Sequence, residues 1–229
     1  ALYLQGGVLT LSGDGVRAVP FFERATALNP AHADAYFELG NALLSQRENS
    51  LAEKAYLAAL RSEPARAVCY LNLGNLYTDQ RRVSKAERAF RKAIALGPSS
   101  WDGCAAANGL SNLLEGSGRS NEAELVSTAA LGDQDGGGGS ACPYAAHNLG
   151  RLLRGRGQHA EAIKHAHRAL ELAPDRREFL TGLGAALHAA GRWSEAIPMY
   201  RRALANSPTD RGLSLDLANA LAHAGRHAQ

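Results

Sequence analysis

The chain has 229 residues, a formal charge of +3 at pH 7, 45% hydrophobic residues and only 6% aromatic residues. These values are typical of a folded globular protein whose core is built mainly from Ala, Leu and Val. The charge is too small to indicate nucleic-acid binding by itself, and no apolar run approaches the roughly 20 residues that a membrane-spanning helix needs. We therefore expect neither a nucleic-acid partner nor a membrane span.

The cysteines are few and far apart. Cys69, Cys104 and Cys142 are an odd number, which argues against a disulfide framework. The spacing instead predicts buried thiols in a reducing compartment, so we expect an intracellular protein, with the cytoplasm as the simplest location. The chain begins at Ala1 without a basic stretch followed by an apolar one, and no signal peptide is expected.

Proline recurs along the chain at a fixed interval. Pro30, Pro64 and Pro98 lie 34 residues apart, as do Pro174 and Pro208, and each follows an Ala-rich stretch such as RATALNP or RRALANSP. A period of this size is typical of a solenoid of helical hairpins. Small residues at fixed places let two helices approach closely, and proline ends the second helix because it cannot continue one.

The third unit, residues 67–100, carries the pattern in full. Its members are Tyr70, Leu73, Gly74, Tyr77, Ala86, Phe90, Ala93 and Pro98. This pattern resembles the tetratricopeptide repeat. The resemblance implies an all-α fold, a right-handed superhelical α-solenoid of helix-turn-helix repeats with six repeats and a final helix. Because no single repeat can bury its apolar face alone, each would be stabilised mainly by its neighbours.

The other units depart from the pattern to different degrees. The second unit, 33–66, and the sixth, 177–210, are nearly complete, whereas the first has lost its opening residues. In the fifth, 143–176, Ala166 takes the aromatic position. The fourth unit, which we start at Cys104, lacks its proline and has serines in place of its first Gly and its aromatic residue. The seventh contributes only its first helix.

A Gly/Ser run, GGGGS at 136–140, interrupts the repeats. Such a run behaves as flexible coil, so the sequence predicts repeats one to four over 1–135 and a flexible joint over 136–142. Repeats five and six with the final helix follow over 143–229. The run is also typical of an engineered linker, and both origins stay open.

Motifs of catalysis are missing from the sequence. There is no phosphate loop ending in GK[ST], no HExxH, no GxSxG and no paired CxxC. His159, His165 and His167 lie on one predicted helix, but residues two apart point to different faces, so a metal site would need outside ligands. The basic run over 81–92 is explained by a solvated outer face. We expect no enzymatic activity, no cofactor and no metal.

In the tetratricopeptide family, the first helices of successive repeats line a concave groove, and fixed repeat positions point into it. The resemblance therefore implies a protein or peptide partner in that groove. Carried over to this sequence, the candidate partner-binding residues are Phe37, Asn41, Leu71, Asn72, Asn75, Asn108, Asn112, His147, Asn148, Arg151 and Arg154.

Most of these candidates are carboxamides, which can pair with the N–H and C=O groups of an extended peptide. They can equally bond within or between the helices, and both interpretations stay open. The segment from Asn72 to Asn75 is similar to segments in the peptide-binding repeats of O-linked N-acetylglucosamine transferases. Phe37 and Leu71 indicate an apolar stretch that suits a hydrophobic anchor of the partner.

His147, Arg151 and Arg154 are spaced four and three residues apart and share one helix face. Arginine grips carboxylates in bidentate fashion, which predicts an acidic or C-terminal segment in the partner. Pairing with Glu115 or Glu178 of neighbouring repeats is the alternative. The family's chaperone-tail clamp needs Lys at a position where this chain has none, so that ligand is not expected.

These observations predict a non-catalytic scaffold or adaptor that binds a partner segment in its groove, or a subunit of a larger complex. The alternative is the substrate-recruiting arm of a larger enzyme, such as a glycosyltransferase.

Overall fold

The computed structural model describes residues 1–132 and 142–227, with side chains described as far as Gly225. Every regular element in these ranges is an α-helix, so the predicted all-α class is confirmed. The helices are α1 (Leu2–Leu11), α2 (Gly15–Leu28), α3 (Ala33–Ser45), α4 (Asn49–Ser62), α5 (Ala67–Asp79), α6 (Val83–Leu96), α7 (Trp101–Gly116), α8 (Ser120–Leu131), α9 (Pro143–Gly155), α10 (His159–Leu172), α11 (Arg177–Ala189), α12 (Trp193–Ala205) and α13 (Arg211–His227).

Successive helices pair into hairpins, and α7 begins at Trp101, before the predicted start of the fourth repeat at Cys104. The turn inside each hairpin is short and contains a residue with positive φ, as at Gly118, Gly157 and Gly191. Glycine adopts this conformation at little cost. Arg47 and Arg81 hold the same conformation in the second and third hairpins, with φ of 62° and 57°.

A glycine on the first helix and an aromatic ring on the second hold most hairpins together. A Cβ added to Gly40 would lie 2.6 Å from the ring of Tyr56, and one added to Gly74 would lie 2.5 Å from the ring of Phe90. Both rings are fully buried. Since any side chain at the glycine would displace the ring, the pattern of glycine and aromatic residue reflects direct packing.

The fourth and fifth hairpins have no aromatic ring at this contact, and their two helices pack in other ways. In the fourth, the hydroxyls of Ser111 and Ser127 share a hydrogen bond of 3.0 Å inside the core. In the fifth, the nearest atoms to a Cβ on Gly150 would be the carbonyl oxygen of Ala162, at 3.0 Å, and the backbone nitrogen of Ala166, at 3.3 Å. With no ring between them, α9 and α10 pack backbone against backbone at this point.

The chain divides into two compact units, Ala1–Pro98 and Ser99–Gln229. The first contains α1 to α6, and the second contains α7 to α13. The predicted joint at 136–142 lies outside the described residues except for Cys142. The division of the chain at this joint stays a prediction.

The cysteine prediction was wrong for two of the three residues. Cys104 and Cys142 form a disulfide with a Cα–Cα distance of 5.5 Å, while Cys69 is a free, buried thiol whose pKa burial raises to about 11. The pairing joins residues 38 apart in sequence, because the first turn of α7 meets the residue that precedes α9. The expectation of a reducing compartment rested on the cysteine spacing and loses that support.

None of the helices in the described part of the chain has the length and hydropathy needed to cross a bilayer.

Candidate functional site

A cavity of about 440 Å³ lies in the second unit, where the first helices of repeats five, six and seven meet. Its size is within the range of ordinary ligand sites. The lining residues come from α9, α11 and α13, together with one residue of α10 and one of the loop before α13. They are His147, Gly150, Arg151, Arg154, Ala166, Arg177, Glu178, Thr181, Gly182, Ala185, Asp210, Gly212, Leu213 and Asp216.

Small residues make room for this cavity. Gly150 and Ala166 come from the fifth hairpin, where the aromatic ring of the repeat is missing. Ala185 lies on α11 at the repeat position that Asn41 occupies in the second repeat. Gly182 also lines the cavity, and a Cβ there would lie 2.7 Å from the imidazole of His147.

The rim of the cavity is charged, and most of its charges are paired. Arg177 binds Asp210 at 2.9 Å, and Glu178 lies 3.5 Å from Arg176. Arg151 forms an ion pair with Glu115 and donates a hydrogen bond of 3.2 Å to Asn112. This is the alternative that the sequence left open for Arg151.

Arg154 and Asp216 are the exceptions at the rim. Within the described residues, neither side chain has a hydrogen bond or ion pair. Arg154 lies one helical turn after Gly150 on α9, so its guanidinium is on the same face as the floor of the cavity. The cavity therefore presents one unpaired cation and one unpaired carboxylate to whatever enters it.

His147 forms part of the cavity wall as a neutral group. Its ring packs 5.4 Å from the ring of Phe179, and burial, with a contribution from Arg151, lowers its pKa to about 4. At neutral pH the imidazole is uncharged and offers one donor and one acceptor. It is suited to a hydrogen bond with a ligand rather than to charge pairing.

In the first unit, the predicted carboxamides bond to one another. Tyr56 donates to the Oδ1 of Asn41 at 2.8 Å, and the Nδ2 of Asn72 donates to the same oxygen at 3.1 Å. Asn41 also donates to Glu38 at 3.3 Å. Burial raises the pKa of Tyr56 to about 12, so its hydroxyl stays protonated and keeps this network intact.

The other candidates of the first unit are placed as follows. The guanidinium of Arg66 lies 4.7 Å from the centre of the Phe37 ring and covers it, held by a bond of 2.7 Å to Asp34. Leu71 is half-buried, and Asn75 is exposed with no bonding partner in the described part of the chain. The apolar stretch expected around Phe37 is thus partly capped by an arginine.

The candidates on α7 and α9 also bond across the repeats. Asn148 is only 2% exposed and donates to Asn108 at 3.0 Å. Asn112 is exposed and accepts the bond from Arg151. For Asn148 the expected exposure to a ligand is not observed, because its carboxamide is enclosed between α7 and α9.

Sequence reasoning placed His147, Arg151 and Arg154 at the cavity but missed Thr181, Ala185 and Asp216. A signal for them existed in the sequence. The cavity forms where the repeat pattern fails, at Ala166 in the aromatic position and at Ala185 in the Asn position. Among the described residues, no group of three or more His, Cys, Asp or Glu side chains is arranged to hold a metal ion.

Family models described as tetratricopeptide repeat match residues 3–67, 37–101 and 142–209. Among curated proteins, no match was found.

Several solved structures share the fold. One chain of the crystal structure described as APC/C hetero-tetramer Cut9-Hcn1 gives a TM-score of 0.73 at 19% identity, and the match covers 96% of this chain and 42% of that one. PilF of Pseudomonas aeruginosa gives 0.72 at 17% identity, covering 97% of this chain and 96% of that one. YrrB, described as a TPR protein with an unusual peptide-binding site, gives 0.55 at 22% identity, covering 86% and 97%.

Proposed function

Because the chain belongs to the tetratricopeptide repeat family, we propose that it is a non-catalytic scaffold that binds a segment of a partner protein in the cavity between α9, α11 and α13. One observation carries the proposal. The cavity is lined by the first helices of three successive repeats, and Arg154 and Asp216 reach it without partners in the described residues.

The charges of the cavity indicate what the segment offers. A carboxylate of the segment would pair with Arg154 through two parallel hydrogen bonds, the geometry for which a guanidinium is suited. Asp216 would accept a bond from a backbone N–H or a cationic side chain of the same segment. The acidic partner that we expect is therefore a segment that carries a carboxylate next to a hydrogen-bond donor.

His147, Arg151 and Arg154 remain in the proposed binding set, joined by Thr181 and Asp216. We leave Asn41 and Asn72 out of it, since they bond to Tyr56 and to each other. Asn75, Leu71 and Phe37 stay predictions for a separate contact region.

The solved neighbours support this proposal at the level of fold. One of them is described as having an unusual peptide-binding site, and another as part of a hetero-tetramer. A fold that serves both purposes suits a scaffold that works as a subunit of a larger complex. With identities under 25%, the neighbours do not name the partner.

The test is a selection of binding peptides from a displayed random library, followed by affinity measurement with the purified chain. Arg154→Glu is expected to weaken binding of the selected peptides by about 30-fold, the loss typical of a central charged contact. Arg201→Glu, on the exposed face of α12, is the matched control and should leave the affinity unchanged. Equal losses in both variants, or none in either, would contradict the proposal.

A further inference from the structure

An exposed tryptophan begins α7. Trp101 is 60% exposed, and its indole N–H has no hydrogen-bond partner among the described residues. Tryptophan is largely buried in most folded proteins, and where it reaches the surface it is enriched at the centres of binding sites. The surroundings of this ring therefore bear on what the second unit binds besides the occupant of its cavity.

Trp101 lies against a second ring. Tyr144, in the first turn of α9, is 5.7 Å from it between ring centres and meets it edge to face. On the core side, the fully buried Phe179 packs 5.5 Å from Tyr144, again edge to face. Aromatic side chains favour this geometry. We call Trp101 and Tyr144 the aromatic pair, and Phe179 supports it from below.

The disulfide holds the aromatic pair together. Trp101 precedes Cys104 by three residues, which places both on one face of α7. Tyr144 follows Cys142 by two residues, and the Cα atoms of the two cysteines are 5.5 Å apart. Because the two turns that carry the rings are cross-linked, the pair is arranged before any ligand arrives, which lowers the entropic cost of binding.

The free polar groups of the aromatic pair are hydrogen-bond donors. The hydroxyl of Tyr144 accepts a hydrogen bond from Arg176, so its own hydrogen stays available, as does the indole N–H of Trp101. Glu178 is engaged by Arg176 at 3.5 Å. Asp102 follows Trp101 directly and lies on another face of α7. The carboxylates near the pair are thus either engaged or turned aside.

This arrangement disfavours two classes of ligand that often bind aromatic surfaces. A cationic group would meet the guanidinium of Arg176, which already lies 5.4 Å from the centre of the Tyr144 ring. A sugar brings hydroxyl groups, which need acceptors as well as donors. A ligand that is rich in carbonyl oxygens and poor in N–H groups matches the pair better.

A proline-rich segment has this composition. Proline has no backbone N–H, and a run of prolines adopts the polyproline II helix, which has no internal hydrogen bonds. Such segments dock in grooves lined by aromatic residues. Residues two apart in this helix are separated by about 6.2 Å along its axis, close to the 5.7 Å between the centres of the two rings. One proline can therefore contact each ring.

We propose that the aromatic pair is a second docking site, separate from the cavity, for a proline-rich segment of a partner in the polyproline II conformation. Prolines of the segment pack on Trp101 and Tyr144, and the indole N–H and the phenol hydroxyl donate to its carbonyl oxygens. The site goes beyond the proposed function, because Arg154 and Asp216 take no part in it.

The test uses the tryptophan of the site as its own reporter. The chain has two tryptophans, so Trp193→Phe leaves Trp101 as the only one. A decaproline peptide should shift the fluorescence emission of this variant to shorter wavelength, because the peptide covers an exposed indole. A decapeptide of alternating glycine and serine should cause no shift. Calorimetry with the wild-type chain then gives the affinity for decaproline.

Two variants and a control locate the binding. Trp101→Ala should weaken decaproline binding by about 30-fold, the loss typical of a central aromatic contact. Tyr144→Phe keeps the ring and removes the donor, so it should weaken binding by about fivefold, the value of one hydrogen bond. Leu125→Ala is the matched control, since Leu125 is 69% exposed on α8 of the same unit, and it should bind as the wild type does. Circular dichroism checks that each variant is folded.

The outcomes separate this site from the cavity. Arg154→Glu should bind decaproline as the wild type does, and a loss in that variant would overturn the inference by placing the peptide in the cavity. A shift with maltohexaose but not with decaproline, tighter binding of a decapeptide of alternating leucine and serine, or equal losses in Trp101→Ala and Leu125→Ala would also overturn it. If decaproline does not bind at all, the inference fails, while selection of peptides by the cavity is unaffected.

Discussion

The second and fifth repeats differ at the position that faces the glycine of the first helix. In the second, Tyr56 lies on Gly40, and its hydroxyl bonds to Asn41, which also accepts from Asn72 of the next repeat. In the fifth, Ala166 replaces the ring, and a cavity opens against Gly150. The carboxamides of the second repeat are occupied by its own side chains, whereas the fifth repeat borders a cavity.

The sixth repeat shows that the ring alone does not close a site. Tyr200 is as buried as Tyr56, yet Ala185 stands where Asn41 would be, and Asp216 stands where Asn72 would be. No described group bonds to the hydroxyl of Tyr200, whose pKa is raised to about 12 by burial and by the nearby Asp216. The cavity thus lies where Ala166 replaces the ring of the fifth repeat and Ala185 replaces the carboxamide of the sixth.

The strongest way to break this comparison is to give the second repeat the residue of the fifth. Tyr56 is fully buried, so Tyr56→Ala should lower the free energy of unfolding by about 4 kcal/mol, the usual cost of removing a core aromatic side chain. Tyr56→Phe keeps the ring and should cost about 1 kcal/mol for the lost hydrogen bonds. Denaturant unfolding measures both, and a similar cost for the two variants would show that the ring does not hold the hairpin.

The disulfide provides a second contrast, because among the described residues it occurs only in the second unit. Reducing the disulfide, or combining Cys104→Ser and Cys142→Ser in one variant, should destabilise that unit by about 3 kcal/mol, because the unfolded chain gains conformational entropy when the cross-link is lost. Cys69→Ser, in the first unit, is the control variant, because it removes a cysteine that forms no disulfide. Hydrogen exchange resolves the units, and a loss of protection confined to α1–α6 on reduction would contradict this expectation.

The smallest expected effect concerns pH. The pKa of His147 is about 4 in the folded chain and about 6.5 when the chain is unfolded, so the unfolded state takes up a proton first. Stability from this group is complete above pH 6.5 and is lost as pH falls from about 6.5 to 4. The charges near the imidazole are Arg151, Arg154 and Glu178.

His147→Asn should remove this part of the pH dependence, whereas His167→Asn, at an exposed site on α10, should retain it. Urea unfolding at a series of pH values measures the difference. Identical profiles for wild type and His147→Asn would show that the imidazole is not held neutral by burial.

The sequence was enough to predict the helical hairpins, because the small, large and proline positions of each repeat depend only on contacts between adjacent helices. Their glycine and aromatic members meet at Gly40 with Tyr56 and at Gly74 with Phe90, a contact that the pattern did not specify. The same regularity showed where the pattern fails, at Ala166. How the fifth hairpin packs without an aromatic residue at position 166 depends on how closely α9 and α10 approach each other, and the repeat pattern does not give that distance.

The site was harder to predict, because its bonding crosses from repeat to repeat. Asn148 looked available in the sequence, but Asn108 from the preceding repeat takes its bond. Arg151 and Arg154 looked alike, and only the position of Glu115 on α7 separates the paired one from the unpaired one. The disulfide was missed for the same reason, since its cysteines meet through neighbouring first helices.

The most direct test of the central claim is site-specific cross-linking. A photo-reactive amino acid in place of Thr181, inside the cavity, is compared with one in place of Arg168, on the exposed face of α10, in the presence of a peptide selected from the library. The account predicts a cross-link from position 181, none from position 168, and loss of the first in Arg154→Glu. A peptide captured from position 168 and not from position 181 would contradict the assignment of the cavity as the binding site.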